Sequence, residues 1–392
     1  MRMPGLLLLI SLSSPALSGE FILASEAPIE GQYLVVLKQA QPSDAVRQAR
    51  LKVLAQASSA RLTRTYQSAL NGGVMRMNEA QARALARQAQ VAYVEQDRYV
   101  RLQPSLSATT SSTVQTAMPS WGLDRIDQRN LPLSGSYSYG YSGFGVTAYV
   151  IDTGIRYSHA DFGGNVQFGF DAFSDGMQGA DCNGHGTHVA GALGGLKHGV
   201  AKNVRLVSVR VLNCAGSGTL SGVIAGIDWV FTNAKLPAVA NMSLGGGAST
   251  VLDSAVSASI ARGITYVVAA GNESTNACTR SPARVAGALT VAASTATDHR
   301  ASYSNFGSCV DLYAPGSGIR SAWVSSDTAT ATLSGTSMAA PHVAGVAALY
   351  LQAKPSATPA SVSLAINQAA TQNIIKQSVG GTPNRLLYSM PR

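Results

Sequence analysis

Four polar residues sit where runs of the chain give out: Asp152 closes "VTAYVID", Asn272 closes "ITYVVAAGN", His185 lies in the glycine-flanked "NGHGTHVAG", and Ser337 in "GTSMAAPHVAG". They supply a carboxylate to orient, an imidazole to take a proton, a hydroxyl to attack and an amide to donate to a developing oxyanion. Those are the parts that acyl transfer through a serine nucleophile requires. Each also has a plainer reading. An aspartate after a strand, or a serine where a helix begins, is usually a cap. His185 and His188, three residues apart, could share a helical face around a metal, but the glutamate and the spacing of an HExxH zinc site are absent. His188 therefore reads as a structural histidine within a helix.

The elements that must carry these residues follow from the hydrophobic pattern. Short apolar runs, "VTAYVID", "VRLVSVRVL", "AVANMSL", "ITYVVAAGN" and "LTVAAS", alternate with small-residue helical stretches, "HGTHVAGALGG", "SGVIAGIDWVFTNA" and "VLDSAVSASIARG". Continuous Val/Ile/Ala runs mark strands buried on both faces, so the alternation predicts an α/β domain with a parallel sheet covered by helices. Reactive groups then gather beyond the carboxyl ends of the strands, where Asp152 and Asn272 fall. A helix predicted from about Met338 to Gln352 sets Ser337 just before its positive end. Pro341 lies near that helix start, where a missing N–H matters little. Gly335, Ala339 and Ala340 leave room for a substrate backbone.

Upstream the pattern changes. "QYLVVLK" alternates as a strand, "SDAVRQARLKVLAQAS" runs as a helix from an N-cap serine, "RLTRTYQ" and "GGVMRM" flank a Gly72-Gly73 turn, "NEAQARALARQ" is a second helix and "VAYVEQDRYV" a last strand. The order βαββαβ is that of a ferredoxin-like α+β domain, assigned to residues 19–102. Residues 103–117 belong to a Ser/Thr/Ala/Gln-rich stretch with no apolar periodicity, a linker. Residues 118–392 form the α/β domain.

Composition narrows the function. With 46% hydrophobic and 12% charged residues, the chain can fill a real core and is neither disordered nor fibrous. Arg2, the apolar run Leu6–Leu12 and the small Ala16 and Ser18 make residues 1–18 a secretory signal peptide. No run reaches the roughly 20 apolar residues of a membrane span, so no membrane anchor is expected. The destination is extracellular, with the periplasm as the alternative. Four cysteines, Cys182, Cys214, Cys278 and Cys309, are expected to pair in that oxidising setting, with three connectivities open. The net charge of +9 divides between 12 basic and 7 acidic residues up to Thr113, a net +5, and 17 and 13 beyond, a net +4. It forms no basic cluster with interleaved aromatics, which argues against nucleic acid.

In chain order Asp, His, Ser, the candidates follow subtilisin rather than chymotrypsin or the α/β-hydrolases. The esterase reading weakens further because His342, the one histidine after Ser337, is too close along the chain to be its partner. With "YVIDTGI", "NGHGTHVAG", "AAGN" and "GTSMAAPHVAG" the chain is identified as a member of the subtilase family, and it resembles the proteinase K-like branch from "PSWGLDRIDQRNLPL" to "NRLLYS". Ala340 stands where that motif often has Thr. The resemblance implies a secreted, broad-specificity serine endopeptidase without a catalytic cofactor, a monomer acting on protein and peptide substrates. Asp152, His185 and Ser337 would be its triad, and the Asn272 side chain with the Ser337 N–H its oxyanion hole. Residues Ser243, Leu244, Gly245 and Gly246 with Ala269, Ala270 and Gly271 would line an open apolar pocket with no charge in view. The upstream domain resembles the family's inhibitor-type propeptide, a transient inhibitor whose last strand runs into the active site until it is cut at about Ser107 to Ala117. Structural Ca²⁺ is implied at Asp311 with the carbonyls of Ala286 and Ala288, and at Asp124, Asp127, Gln128, Ser134 and Ser136. The implied cysteine pairing is Cys182 with Cys214 and Cys278 with Cys309. An inactive subtilase-fold binding or scaffold protein is the alternative.

Overall fold

The computed structural model describes residues 19–38, 43–102 and 119–389. The predicted signal peptide 1–18 and the linker 103–117 lie outside them.

The N-terminal part contains β1 (Glu20–Ile22), β2 (Pro28–Leu37), α1 (Asp44–Ala57), β3 (Arg61–Thr65), β4 (Gly72–Arg76), α2 (Glu79–Ala86) and β5 (Val91–Arg101). Ser43 caps α1 by accepting the Val46 N–H, and Asn78 with Gln81 forms a capping box on α2, so both helices begin where a side chain satisfies an orphan donor. The sheet order is β1-β5-β2-β4-β3. Strands β2 to β5 pair antiparallel in the ferredoxin-like way; the short β1, which the sequence pattern did not reveal, adds parallel to β5. Along β2, Tyr33, Val35 and Leu37 face a core with Leu51 and Leu54 of α1, whereas Leu34 and Val36 face away from it. The period of two in strand side chains makes that division.

The second domain opens with α3 (Trp121–Ile126) and continues with β6 (Thr147–Asp152), β7 (Val166–Asp171), α4 (His185–Gly194), β8 (Arg205–Arg210), β9 (Ser217–Thr219), α5 (Leu220–Asn233), β10 (Ala238–Met242), β11 (Gly246–Gly247), α6 (Thr250–Ala261) and β12 (Thr265–Ala269). Then come β13 (Arg280–Ser281), β14 (Leu289–Ser294), β15 (Leu312–Pro315), β16 (Ile319–Ala322), β17 (Thr330–Leu333), α7 (Thr336–Ala353), α8 (Pro359–Ala369), β18 (Thr371–Gln372) and β19 (Arg385–Leu386). Its main sheet runs β18-β19-β15-β14-β12-β10-β6-β8-β7 and is parallel except for the β18–β19 pair. Both faces are covered: Ala148 and Val150 of β6 pack with α4 and α7, and Tyr149 and Ile151 pack with α5 and α6. The fold is the α/β class that the pattern predicts. Two disulfides, Cys182–Cys214 and Cys278–Cys309, close loops with sequence separations of 32 and 31.

Candidate active site

Strand β6 lies at the switch point of the sheet, with β8 and β7 to one side and β10, β12, β14 and β15 to the other. A crevice opens at the carboxyl end of such a strand, and Asp152 is the residue there, fully buried. Its Oδ1 lies 2.8 Å from His185 Nδ1 and accepts the Thr153 N–H at 2.7 Å.

His185 is the first residue of α4. The N-cap before it, Gly184, has φ of 110°, and a Cβ there would come within 2.5 Å of the Trp323 ring; glycine meets both demands. The preceding loop is wound around Asp181. That carboxylate accepts the hydroxyls of Thr153 and Thr187 at 2.9 and 2.6 Å and the N–H groups of Asn183, Gly184 and Thr187 at 2.9 to 3.0 Å. Burial opposes a charge on His185, but the attraction and hydrogen bond of Asp152, with help from Asp181, outweigh it, so the imidazole pKa is raised above its ordinary 6.5. His188, one turn on, is pushed down to about 3, by burial first and by His185 second. Its Nε2 contacts the carbonyls of Ile319 and Ala331 at 3.0 and 3.1 Å, which ties α4 to β16 and β17.

Ser337 is the second residue of α7, one position inside the helix rather than just before it. The helix starts earlier than predicted because the N–H and hydroxyl of Thr336 both donate to Asn272 Oδ1 at 2.8 Å. Pro341 is correspondingly inside the helix and not at its start. Having no N–H, it leaves the Ser337 carbonyl without its helical partner, and the Ser243 hydroxyl donates to that carbonyl at 2.8 Å. In return the Ser337 hydroxyl donates to the Ser243 carbonyl at 3.1 Å. In this state it is turned toward Ser243 rather than toward His185; such contacts commonly tighten only when substrate binds. Helices α4 and α7 pack together. With Asn272 Oδ1 committed to Thr336, its Nδ2 lies toward Gly335, 3.3 Å from where a Cβ on that glycine would be.

One cavity, whose roughly 320 Å³ of free space includes space open to solvent, is lined by Ser243, Leu244, Gly245 and Gly246, by Ala269, Ala270 and Gly271, and by Asn272 and Ser337. Arg280 also lines it, which corrects the expectation of a pocket without charge. Beside the cavity, β5 of the N-terminal domain pairs antiparallel with β9, Val100 opposite Gly218, and Arg101 bridges Gly245. The Leu102 N–H donates to the Gly216 carbonyl at 2.8 Å. The crevice thus holds an extended segment between two backbone edges, a mode suited to polypeptide.

Residues 143–385 match the Subtilase family. The chain belongs to that family. Residues 32–103 match Peptidase inhibitor I9. This subtilase is 50% identical to the "Extracellular serine proteinase" of Thermus sp. (strain Rt41A), over 98% of the chain and 97% of that protein. It is 52% identical to the "Alkaline serine exoprotease A" of Vibrio alginolyticus over 83% of the chain, spanning 60% of that longer protein. The crystal structure of a cold adapted subtilisin-like serine proteinase is similar with a TM-score of 0.68 and 57% identity, covering 69% of this chain and 98% of that one. The subtilase is accordingly a subtilisin-like serine protease, a hydrolase, carrying an inhibitor-type N-terminal domain.

Oxygen donors implied for calcium lie in two places. In the first, Asp311 accepts the Thr290 N–H at 2.8 Å, and Asn367 Nδ2 approaches it at 3.4 Å while Asn367 Oδ1 is buried without a hydrogen-bond partner. Ala286 shares a groove with Asn367, and Ala288 is buried two residues before Thr290. In the second, Asp124 accepts the hydroxyl and N–H of Ser134 at 2.9 and 3.0 Å, Gln128 Oε1 accepts the same N–H at 3.0 Å, and the Ser134 and Ser136 hydroxyls are 2.9 Å apart. Asp127 accepts the Ser138 N–H at 2.6 Å, and its other oxygen is buried without a hydrogen-bond partner. The buried side-chain oxygens of Asn367 and Asp127 that lack hydrogen-bond partners, each beside a carboxylate, fit a hard cation.

Sequence reasoning missed several residues. Asp181 stands four before His185, a loop-organising position visible only once its five donors are seen. Glu95 and Asp97, two apart on β5 and so on one face, contact the second domain. Glu95 accepts from Ser249 Oγ at 2.6 Å and Val251 N at 3.0 Å, at the start of α6; Asp97 accepts from Ser221 N at 3.1 Å, at the start of α5. Helix N-termini favour such anions. "VEQD", with acids at alternate strand positions, was the available signal.

Proposed function

We propose that this subtilase is a secreted endopeptidase, made as a zymogen, that hydrolyses peptide bonds through a Ser337 acyl-enzyme. Secretion is supported by the signal-like residues 1–18 and by the similarity to the extracellular serine proteinase of Thermus. Among the described residues no helix is long and apolar enough to cross a membrane. The observation that carries the mechanism is the buried 2.8 Å contact of Asp152 with His185, made beside a crevice where Ser337 and Asn272 line one cavity.

In this reading Asp152 fixes the imidazole with Nδ1 toward the carboxylate and stabilises the imidazolium as it forms. His185 takes the Ser337 proton as the hydroxyl attacks the carbonyl, then returns it to the departing amine. Asn272 Nδ2 and the Ser337 N–H stabilise the oxyanion. The Thr336–Asn272 bonds and the two Ser243–Ser337 bonds hold these donors in place. Small walls at Gly245, Gly246, Ala269, Ala270 and Gly271 support broad specificity for apolar or aromatic side chains at P1, the residue on the carbonyl side of the cut. Residues 19–102 act as a transient inhibitor and folding aid, and processing falls in 103–117, ahead of a catalytic domain that begins at 118. The product is a monomer. Nothing in the fold or the comparisons supports an inactive scaffold.

Intact mass of wild type beside Ser337→Ala, both lacking the signal peptide, tests this. Wild type should lose the mass of its N-terminal domain while the variant stays whole. If both remain whole while folded, the peptidase reading fails. We further infer that calcium stabilises the mature enzyme at one or two structural sites, the Asp311 and Asp124–Asp127 groups. Removing calcium with EDTA should lower the melting temperature, and an unchanged melting temperature overturns the assignment.

A further inference from the structure

Among the described residues lining the cavity, Arg280 carries the one formal charge. Its backbone is fixed by the antiparallel pair of β13 with β11, Arg280 opposite Gly247 and Ser281 opposite Gly246. At Gly246 a Cβ would meet nothing within 4 Å, so the space beside the Arg280 strand is open. The side chain is 20% exposed. Nη2 lies 3.3 Å from Glu273 Oε1, and Glu273 uses its other oxygen to accept from Asn305 Nδ2 at 2.8 Å. Nη1 lies 3.1 Å from Glu26 Oε1 of the N-terminal domain, and Nε is buried without a hydrogen-bond partner.

This guanidinium already takes a carboxylate from another domain, and release of the N-terminal domain removes that carboxylate. What stays is a guanidinium still paired with Glu273 through Nη2, with Nη1 freed and an Nε that has no partner in this structure, beside a cavity walled by alanine and glycine. A buried donor without an acceptor is costly, and guanidinium groups favour oxygen acceptors held in their plane. We propose that Arg280 determines specificity. It extends the substrate class to peptides whose P1 side chain ends in an oxygen acceptor, glutamate foremost and glutamine after it, and it disfavours lysine and arginine through like charge. The inference rests on reading the cavity as the P1 pocket.

The test uses processed enzyme and peptides identical except for Leu, Gln, Glu or Lys at P1. The ratio of kcat/KM for Glu over Lys should be about tenfold or more in wild type, should fall as salt screens the charge, and should collapse toward unity in Arg280→Ala. Arg280→Lys should restore the direction of the preference. If wild type cuts the Leu peptide but ranks Glu no better than Lys, or if Arg280→Ala leaves the ratio as it was, the proposal is overturned and the peptidase reading stands. A wild type that cuts none of the four overturns the peptidase reading, and the Arg280 role with it. Should Arg280→Ala fail to mature, the salt dependence in wild type decides: a ratio indifferent to salt rules Arg280 out.

Discussion

The two sheets of the molecule bury themselves differently. In the second domain each strand at the centre has helices of its own chain segment on both sides, so Ala148 and Val150 find one apolar layer and Tyr149 and Ile151 another. The N-terminal sheet has α1 and α2 on one side only. Its other side, with Leu34, Val36, Tyr66, Leu70, Val74 and Val100, shares an apolar cluster with Val223, Ile224 and Ile227 of α5. Both disulfides lie in the second domain. One region is thus closed by its own packing and covalent loops, whereas the other becomes dry on both faces only when docked. Such a domain suits a partner that is meant to leave.

The sharpest way to break this contrast is to remove a staple. Cys182→Ala with Cys214→Ala should lower the unfolding free energy of the processed domain by about 3–4 kcal/mol, the chain-entropy value for a loop of this length. Denaturant melts of the double variant measure it; an unchanged midpoint would mean that the packed sheet needs no covalent help. A smaller effect is expected at the docking face. Asp228 accepts the N–H groups of Gln67, Ser68 and Ala69 at 2.6 to 2.7 Å, a charge-assisted cradle for a loop of the other domain. Asp228→Ala should weaken inhibition by N-terminal domain added in trans roughly ten- to hundredfold, the range for charged hydrogen bonds of about 1.5–3 kcal/mol. If the inhibition constant does not move, apolar contact alone holds the domain.

The smallest expected change is a displacement on the pH axis. His185 must be neutral to accept a proton, and its pKa is raised above 6.5, so its protonated form persists to higher pH than in a free imidazole. Activity should therefore be lost on lowering the pH, with the acid limb of kcat/KM centred above 6.5. A midpoint below 6.5 would show burial outweighing Asp152 in the processed enzyme.

Much of this architecture can be read without coordinates because it rests on local rules. The period of two in "QYLVVLK", the continuous apolar runs ending at Asp152 and Asn272, and the serine and asparagine caps at Ser43 and Asn78 each act through neighbours in the chain. The start of α7 departs from the local pattern for a complementary reason. A distant side chain, Asn272, captures both donors of Thr336 and draws the helix back past Ser337. Pro341 is accommodated inside the helix because Ser243, nearly a hundred residues away, supplies the hydrogen bond that proline cannot.

The sequence by itself determined the βαββαβ order upstream apart from β1, the alternation of central strands and helices downstream, and the residue types at strand ends and helix starts, since those follow from periodicity, capping and composition. Tertiary structure alone decided that the Ser337 hydroxyl turns to Ser243, that Arg280 lines the cavity, and that Glu95 and Asp97 cap two helices of the other domain. Each of these joins residues tens to more than a hundred positions apart. Such contacts depend on where the sheet reverses its order and which loops fold over the crevice, and no local pattern encodes that.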